Sequence, residues 1–423
     1  MEYLEDEQRI VLPDNYKGVS YAIGDSVFTD CTNVTSVTIP NSVTAIGDYA
    51  FTNCTNLTSI EIPGSVVTIG YATFRGCSGL ASIEIPNSVT TIGEYVFEDC
   101  IGLTSVTIGN NITTIENKTF RGCTGLTSVE IPNSVTTIGE CVFEDCIGLT
   151  SVTIGNSVTT IGYATFEGCT GLTSIEIPNS VKMVGGSVFR ECTSLTSITI
   201  GNGVESFGEK VFRNCTNLTN VYINDLSSWC NIDFVYYTDT PLYYAKNLYL
   251  NGTLLTELII PDDVTVVKGY TFYNCDKLTK ISIPNSVTTI GDYAFTGCSS
   301  VETLYISSSI KEIGSYVFYD CTSLLEIYAG SKMAVECDDN LFSNDTYNNA
   351  CLYVPIGRKF AYEKTNPWNK FYIVEMDYTS IGNIESDEEN CNKNPIYYDL
   401  SGRRVKKTTG GIYIVNGKKT LVK

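Results

Sequence analysis

The chain has 423 residues, 47 of them acidic and 27 basic, for a formal net charge of −20, and it contains no histidine. That charge repels phosphate backbones and anionic lipid, which speaks against a nucleic-acid partner. The missing histidine removes the Ser-His-Asp and Cys-His arrangements, the commonest general base, and every His-containing zinc site.

In chain order, MEYLEDEQRI lacks the basic, apolar, small-residue succession of a secretory signal, and no run of 18 apolar residues follows anywhere. Residues 1–30 hold a degenerate unit ending in Ser26-Val27-Phe28 and too short an acidic start for a cap, which leaves a processed or truncated N-terminus open. From Cys31 the chain repeats. Cys54, Cys77, Cys100, Cys123, Cys146, Cys169, Cys192 and Cys215 follow at steps of 23, and Cys275, Cys298 and Cys321 resume the step after a gap. A fixed period of this length marks a stacked repeat architecture.

Aligned on these cysteines, the unit reads L-T-S-[VI]-x-I-[PG]-N-S-V-T-x-I-G-x-x-x-F-x-x-C-x-x. Leu126, Val129 and Ile131 give the alternation of a short strand, and Pro132 then removes a ladder donor before Asn133-Ser134 turn the chain. A second β-like stretch, V-T-T-I-G, ends at a glycine suited to another turn, and the phenylalanine packs back inside. One such coil cannot cover its own apolar side chains, so neighbours must stack on it. Thirteen coils starting near Val34, Leu57 and so on to Leu324 predict a mainly β solenoid with parallel strands over residues 31–330. At about 4.8 Å per coil the rod is about 60 Å long.

Three segments depart from the period. At about 224–254 the ninth unit gains 14 residues, an aromatic-rich insertion expected to bulge from the rod, with Asn251-Gly252 as a hairpin turn. Residues 331–375 read as a C-terminal cap made of a strand, a short helix and a closing strand. An acidic linker at 376–394 then leads to a basic β tail at 395–423, with strand patterns IYYDL and GIYIV.

With LTSVEIPNSVTTIGECVFEDC in view, the repeat region over roughly 30–330 resembles the BspA-like leucine-rich repeats of bacterial surface proteins. The insertion LSSWCNIDF…PLYYAKNLYLNG and LYVPIGRKFAYEKTNPWNKF are similar to segments that recur in this family. The tail, YDLSGRRV…GIYIVNGKK, is similar to C-terminal sorting segments used by a gliding-type secretion system, and is shorter than such domains usually are. The resemblance implies a right-handed leucine-rich repeat horseshoe, no catalytic residues, and adhesion to host matrix proteins or other cells. Because fold does not fix function, a site argument has to stand beside it.

The cysteine ladder is the first candidate. Neighbouring coils are close enough for disulfides, but in-register Cβ vectors run parallel and hold the sulfurs apart, so the ladder reads as buried free thiols acting as small hydrophobes. Cys141 stands off the ladder, where Tyr49, Tyr95, Tyr293 and Tyr316 stand in other coils, and is expected at an accessible coil edge. Cys230, Cys337, Cys351 and Cys391 also stand off it, and a bridge among them is left open.

The outward fifth position gives a lane across the coils: Thr38, Glu61, Glu84, Thr107, Glu130, Thr153, Glu176, Thr199, then Tyr222, Ile259, Ser282, Tyr305, Tyr328 and, in the cap, Tyr353. Cross-strand packing alone accounts for such tyrosines. Against that, tyrosine joins apolar area to a hydroxyl as binding hot spots do, so Tyr222, Tyr305, Tyr328 and Tyr353, with the nearby Trp229, are the candidate ligand site. The lane glutamates could serve calcium or paired-carboxylate catalysis, but they follow the repeat and have no partner acid, so they read as a solvated face. Asn-x-Ser/Thr triplets are frequent simply because the repeat is rich in these residues.

The sequence thus points to a non-enzymatic binding protein at the cell surface or secreted. No cofactor or metal is expected, and the partner is a protein or glycan on a host or neighbouring cell. The alternative is a structural spacer without a dedicated ligand.

Overall fold

The computed structural model describes residues 8–15 and 17–377, with strand backbones at 397–398, 404–405, 411–415 and 418–422. The repeat folds as stacked coils, and the coil of Leu126–Leu149 shows why. Ser128–Glu130 pairs in parallel with Ser151–Thr153, Val129 facing Val152 and Glu130 facing Thr153. Pro132 ends the strand, and its carbonyl accepts the Val135 N–H at 3.1 Å to close the turn. Thr137–Ile138 then pairs with Thr114–Ile115 and Thr160–Ile161.

The third corner is also hydrogen-bonded between coils: the N–H groups of Cys141, Phe143 and Asp145 donate to Tyr163, Thr165 and Glu167, each at 2.8 Å. Two left-handed residues per coil bend this corner, as at Cys141 (φ 54°) and Asp145 (φ 59°). Aspartate, asparagine and glycine tolerate that conformation best, which explains the Asp, Asn or Gly before most ladder cysteines.

Inside the corner, Phe28, Phe51, Phe74, Phe97, Phe120, Phe143, Phe166 and Phe189 form one column, with centroids 5.1–5.8 Å apart and planes within 10°. Offset stacking of this kind adds to the area each ring buries. Beside it, Cys54 to Cys215 and Cys275 to Cys321 are all fully buried free thiols at the ladder positions.

The glycine after V-T-T-I does a different task from the one its sequence context suggests. At Gly139 and Gly162 φ is not positive; instead, a Cβ on Gly162 would stand 2.5 Å from the backbone of Gly139. Close approach of coils, not a left-handed turn, demands glycine here.

The solenoid has about 16 turns in place of the expected 13. The degenerate start is a true coil, since Arg9–Val11 pairs in register with Ser36–Thr38, and Tyr21–Ile23 pairs with Val43–Ile46 with one register shift between Tyr21 and Ala22. The insertion does not bulge as a whole. Its strand Asn247–Leu250 pairs in parallel register with Asn220–Ile223, and Leu226, Trp229, Cys230, Leu242 and Leu248 join the core. Asn251-Gly252 is the expected hairpin, returning Thr253–Leu254 antiparallel onto Tyr249–Leu250. A fresh ladder of parallel strands opens at Glu257–Ile259.

At the C-terminus the cap has its expected order, with Cys351–Pro355 in register on Glu326–Ala329, a helix at Lys359–Glu363 and the closing strand Tyr372–Met376. A helix at Asn344–Asn349 precedes them. Trp368 donates its indole N–H to Val335 O at 2.7 Å, tying the cap down. The tail segments Tyr397–Tyr398, Arg404–Val405, Gly411–Val415 and Lys418–Val422 form a four-stranded antiparallel sheet. The acidic linker, beyond Asp377, and Cys391 lie outside the described residues.

Candidate functional site

Parallel pairing at zero offset puts the same unit position of successive coils side by side, so the lane is a physical row on either side of the break at Thr253–Leu254. In its aromatic part Thr199 faces Tyr222, which faces Tyr249; Ser282 faces Tyr305, then Tyr328, then Tyr353. The rings stack. Centroids are 4.7 Å apart for Tyr222–Tyr249, 4.6 Å for Tyr305–Tyr328 and 4.8 Å for Tyr328–Tyr353, with planes 25°, 8° and 13° apart. All five tyrosines are half-buried.

Charged groups edge the row. Lys280 Nζ stands 5.4 Å from the Tyr305 centroid, a cation–π distance. Tyr328 donates its hydroxyl to Glu326 Oε2 at 3.1 Å, and burial pushes the Glu326 carboxyl up while that hydrogen bond opposes the shift. Ile259 is exposed in the same lane, whereas Ser282, between Ile259 and Tyr305, is covered. In the N-terminal part, Glu61, Glu84, Glu130 and Glu176 are exposed along the same face. Among the described residues no three metal-ligating side chains come together.

Trp229 must be taken out of the candidate site. It is 1% exposed and gives its indole N–H to Thr271 O at 3.1 Å, so it is core. In its place the structure adds Tyr249, hidden from a step of 23 because the insertion lengthens this coil to 27. The signal was present in the sequence: Asn247-Leu248-Tyr249-Leu250 mirrors Asn220-Val221-Tyr222-Ile223.

The off-ladder cysteines are of two kinds. Cys230 is buried, its thiol pushed up to about 12 chiefly by that burial, while Cys141 and Cys337 are half-buried; all three are free thiols. Cys141 is at the coil edge as expected, with its pKa raised to about 11 by desolvation and then by Glu144, the reverse of an activated nucleophile.

A solenoid of short parallel strands with a leucine, isoleucine and phenylalanine core defines a leucine-rich repeat protein. The BspA type Leucine rich repeat region family, in a six-copy profile, matches residues 7–127, 113–236 and 245–357. The chain belongs to this family, which suggests a non-catalytic binding role. Among solved structures it is similar to a leucine-rich repeat protein from Bacteroides ovatus, at 27% identity over 89% of this chain and 94% of that one, TM-score 0.48. It is also similar to a leucine rich cell surface protein from Faecalibacterium prausnitzii, at 28% over 76% and 87%, TM-score 0.36. A third is the T. pallidum leucine rich repeat protein, at 28% over 51% and 80%, TM-score 0.30. Among curated proteins, none is similar in sequence.

Proposed function

We propose that this is a cell-surface or secreted binding protein whose outward first-strand face contacts a protein or glycan on a host or neighbouring cell through Tyr222 and Tyr249 on one sheet and Tyr305, Tyr328 and Tyr353 on the next. The observation that carries the reading is the stacking of in-register rings at 4.6–4.8 Å. Rings that hold one another in place lose little rotamer freedom on binding, and half-buried tyrosines join a hydroxyl to apolar area. Family membership supports the surface location, and the tail at 395–423 supports it by its likeness to sorting segments.

The test is a binding screen of the full chain against matrix proteins and a glycan array, repeated with Tyr305→Ser/Tyr328→Ser. A ligand whose affinity falls at least tenfold in the double variant, with the melting transition retained, supports the reading. A ligand held equally by both proteins removes the tyrosine row from it. The long regular stack of phenylalanines favours a second reading, a stiff spacer; that reading stands if no matrix protein, cell or glycan is bound.

A further inference from the structure

A second aromatic surface lies at the corner that follows the second strand, where the insertion meets the coils after it. Tyr270, Tyr293 and Tyr316 occupy the left-handed corner position of successive coils, at φ 61°, 58° and 58°. They stack with centroids 5.3 and 4.9 Å apart and planes within 15°. Tyr273 meets this column edge-on at 6.3 Å from Tyr270.

The insertion extends the surface. Tyr237 lies 5.8 Å from Tyr273 and 5.4 Å from Tyr243, and Tyr243 lies 6.3 Å from Tyr273. Tyr237 is 46% exposed and Tyr236 beside it 52%. This is the part of the insertion that does stand outside the core. Three stretches of chain thus converge on one aromatic face that neither the core nor the first-strand face uses.

Its surroundings are acidic. Asp292 and Asp320 are exposed, and Asp292 lies close enough to Tyr270 and Tyr293, and Asp320 to Tyr273, to help burial and the neighbouring rings raise those phenols' pKa. The corner column also shows, in another coil, what it accepts. Lys118 follows Tyr95 at the same corner position, and its ammonium sits 5.0 Å from the Tyr95 centroid and 3.3 Å from the hydroxyl. In the coils of Tyr270 and Tyr293 the next coil's tyrosine fills that seat by stacking, so a cation meets this column at the hydroxyls, as Lys118 meets that of Tyr95, and at the ring of the more exposed Tyr237.

We propose that this corner surface binds an arginine- or lysine-bearing segment of a partner protein, its cations seated on the Tyr237 ring and at the Tyr270 and Tyr293 hydroxyls, beside Asp292 and Asp320. Guanidinium and ammonium groups are drawn to tyrosine faces, and flanking carboxylates add attraction that a neutral sugar would not feel. The net charge of −20 steers such a segment inward and turns polyanions away.

The probe is a labelled peptide of alternating arginine and serine, titrated into the full chain by fluorescence anisotropy, with the same peptide carrying glutamine for arginine as control. Tyr237→Ser/Tyr293→Ser keeps the net charge, and the expected result is roughly tenfold weaker binding of the arginine peptide, from about 0.5–1 kcal/mol per ring. Asp320→Asn suits a left-handed position that asparagine already fills at Asn274, and is expected to weaken binding severalfold without disturbing the fold. Tyr305→Ser/Tyr328→Ser should leave this binding unchanged, which separates it from the first-strand site. Equal affinity in the Tyr237/Tyr293 variant would mean that the peptide follows net charge alone and would overturn the proposal. So would equal binding of the glutamine peptide, or a neutral glycan captured at these tyrosines in place of the peptide. If the double variant fails to melt cooperatively, Asp320→Asn decides, with unchanged affinity counting against.

Discussion

Ten of the twelve ladder thiols point to the carbonyl of the phenylalanine one coil back: Cys146 Sγ lies 3.1 Å from Phe120 O, and the geometry repeats for Cys54 to Cys215 and for Cys298 and Cys321 at 3.0–3.4 Å. Cysteine suits the position because it is small, apolar and still a weak donor. Burial pushes Cys100, Cys146 and Cys215 up to about 12, so hardly any thiolate exists near neutral pH. A thiol reagent at pH 7.5 should therefore modify Cys141 and Cys337 first among the described residues, and slowly. The Cys141 rate should climb about tenfold per pH unit until near 11, since only its thiolate reacts. Mass-spectrometric mapping checks this, and fast labelling of Cys146 in the folded chain would contradict it. The steps of 23 already marked these cysteines as packing. The phenylalanine acceptors were not legible, because each lies 26 residues away on a different coil.

At the scale of elements, the insertion shows both what sequence pattern conveys and what it does not. Its hairpin at Asn251-Gly252 was readable, since turn chemistry is local. Its strand was not, because pairing with Asn220–Ile223 depends on a 27-residue coil that breaks the period. Trp229 was misplaced for a related reason: aromatic content says nothing about which face of a short helix meets the core. That helix, Leu226–Cys230, starts at Asp225, whose side chain accepts the Ser228 N–H. Hydrogen bonds from the Ser228 side chain and then its backbone hold the Asp225 carboxyl below its ordinary range against the opposing effect of partial burial. A folded value below the unfolded one contributes stability above about pH 4, and that contribution is lost as pH falls through the folded value. Asp225→Ala should cost about 1 kcal/mol at pH 7 by urea denaturation. The difference from wild type should shrink toward pH 3; an offset independent of pH would show that the cap does not act through its charge.

Across the whole molecule, the first-strand ladders are parallel up to Asn247–Leu250, meet one antiparallel return at Thr253–Leu254, and begin again at Glu257–Ile259. Among the contacts that cross that seam are the Trp229 indole N–H on Thr271 O, Lys268 N–H on Cys230 O at 3.2 Å, and the Lys268–Asp233 ion pair at 2.8 Å. In a repeat stack, stability passes from neighbour to neighbour, so a seam is where cooperativity can divide. The chain has two tryptophans, one at this seam and one, Trp368, in the C-terminal cap. Nature has thereby placed two intrinsic fluorophores at two separate boundaries of the stack. Following denaturation in Trp229→Phe and Trp368→Phe, each with a single emitter left, should give two midpoints, the seam and the cap reporting different transitions, whereas coincident curves would show that all the turns unfold as one unit.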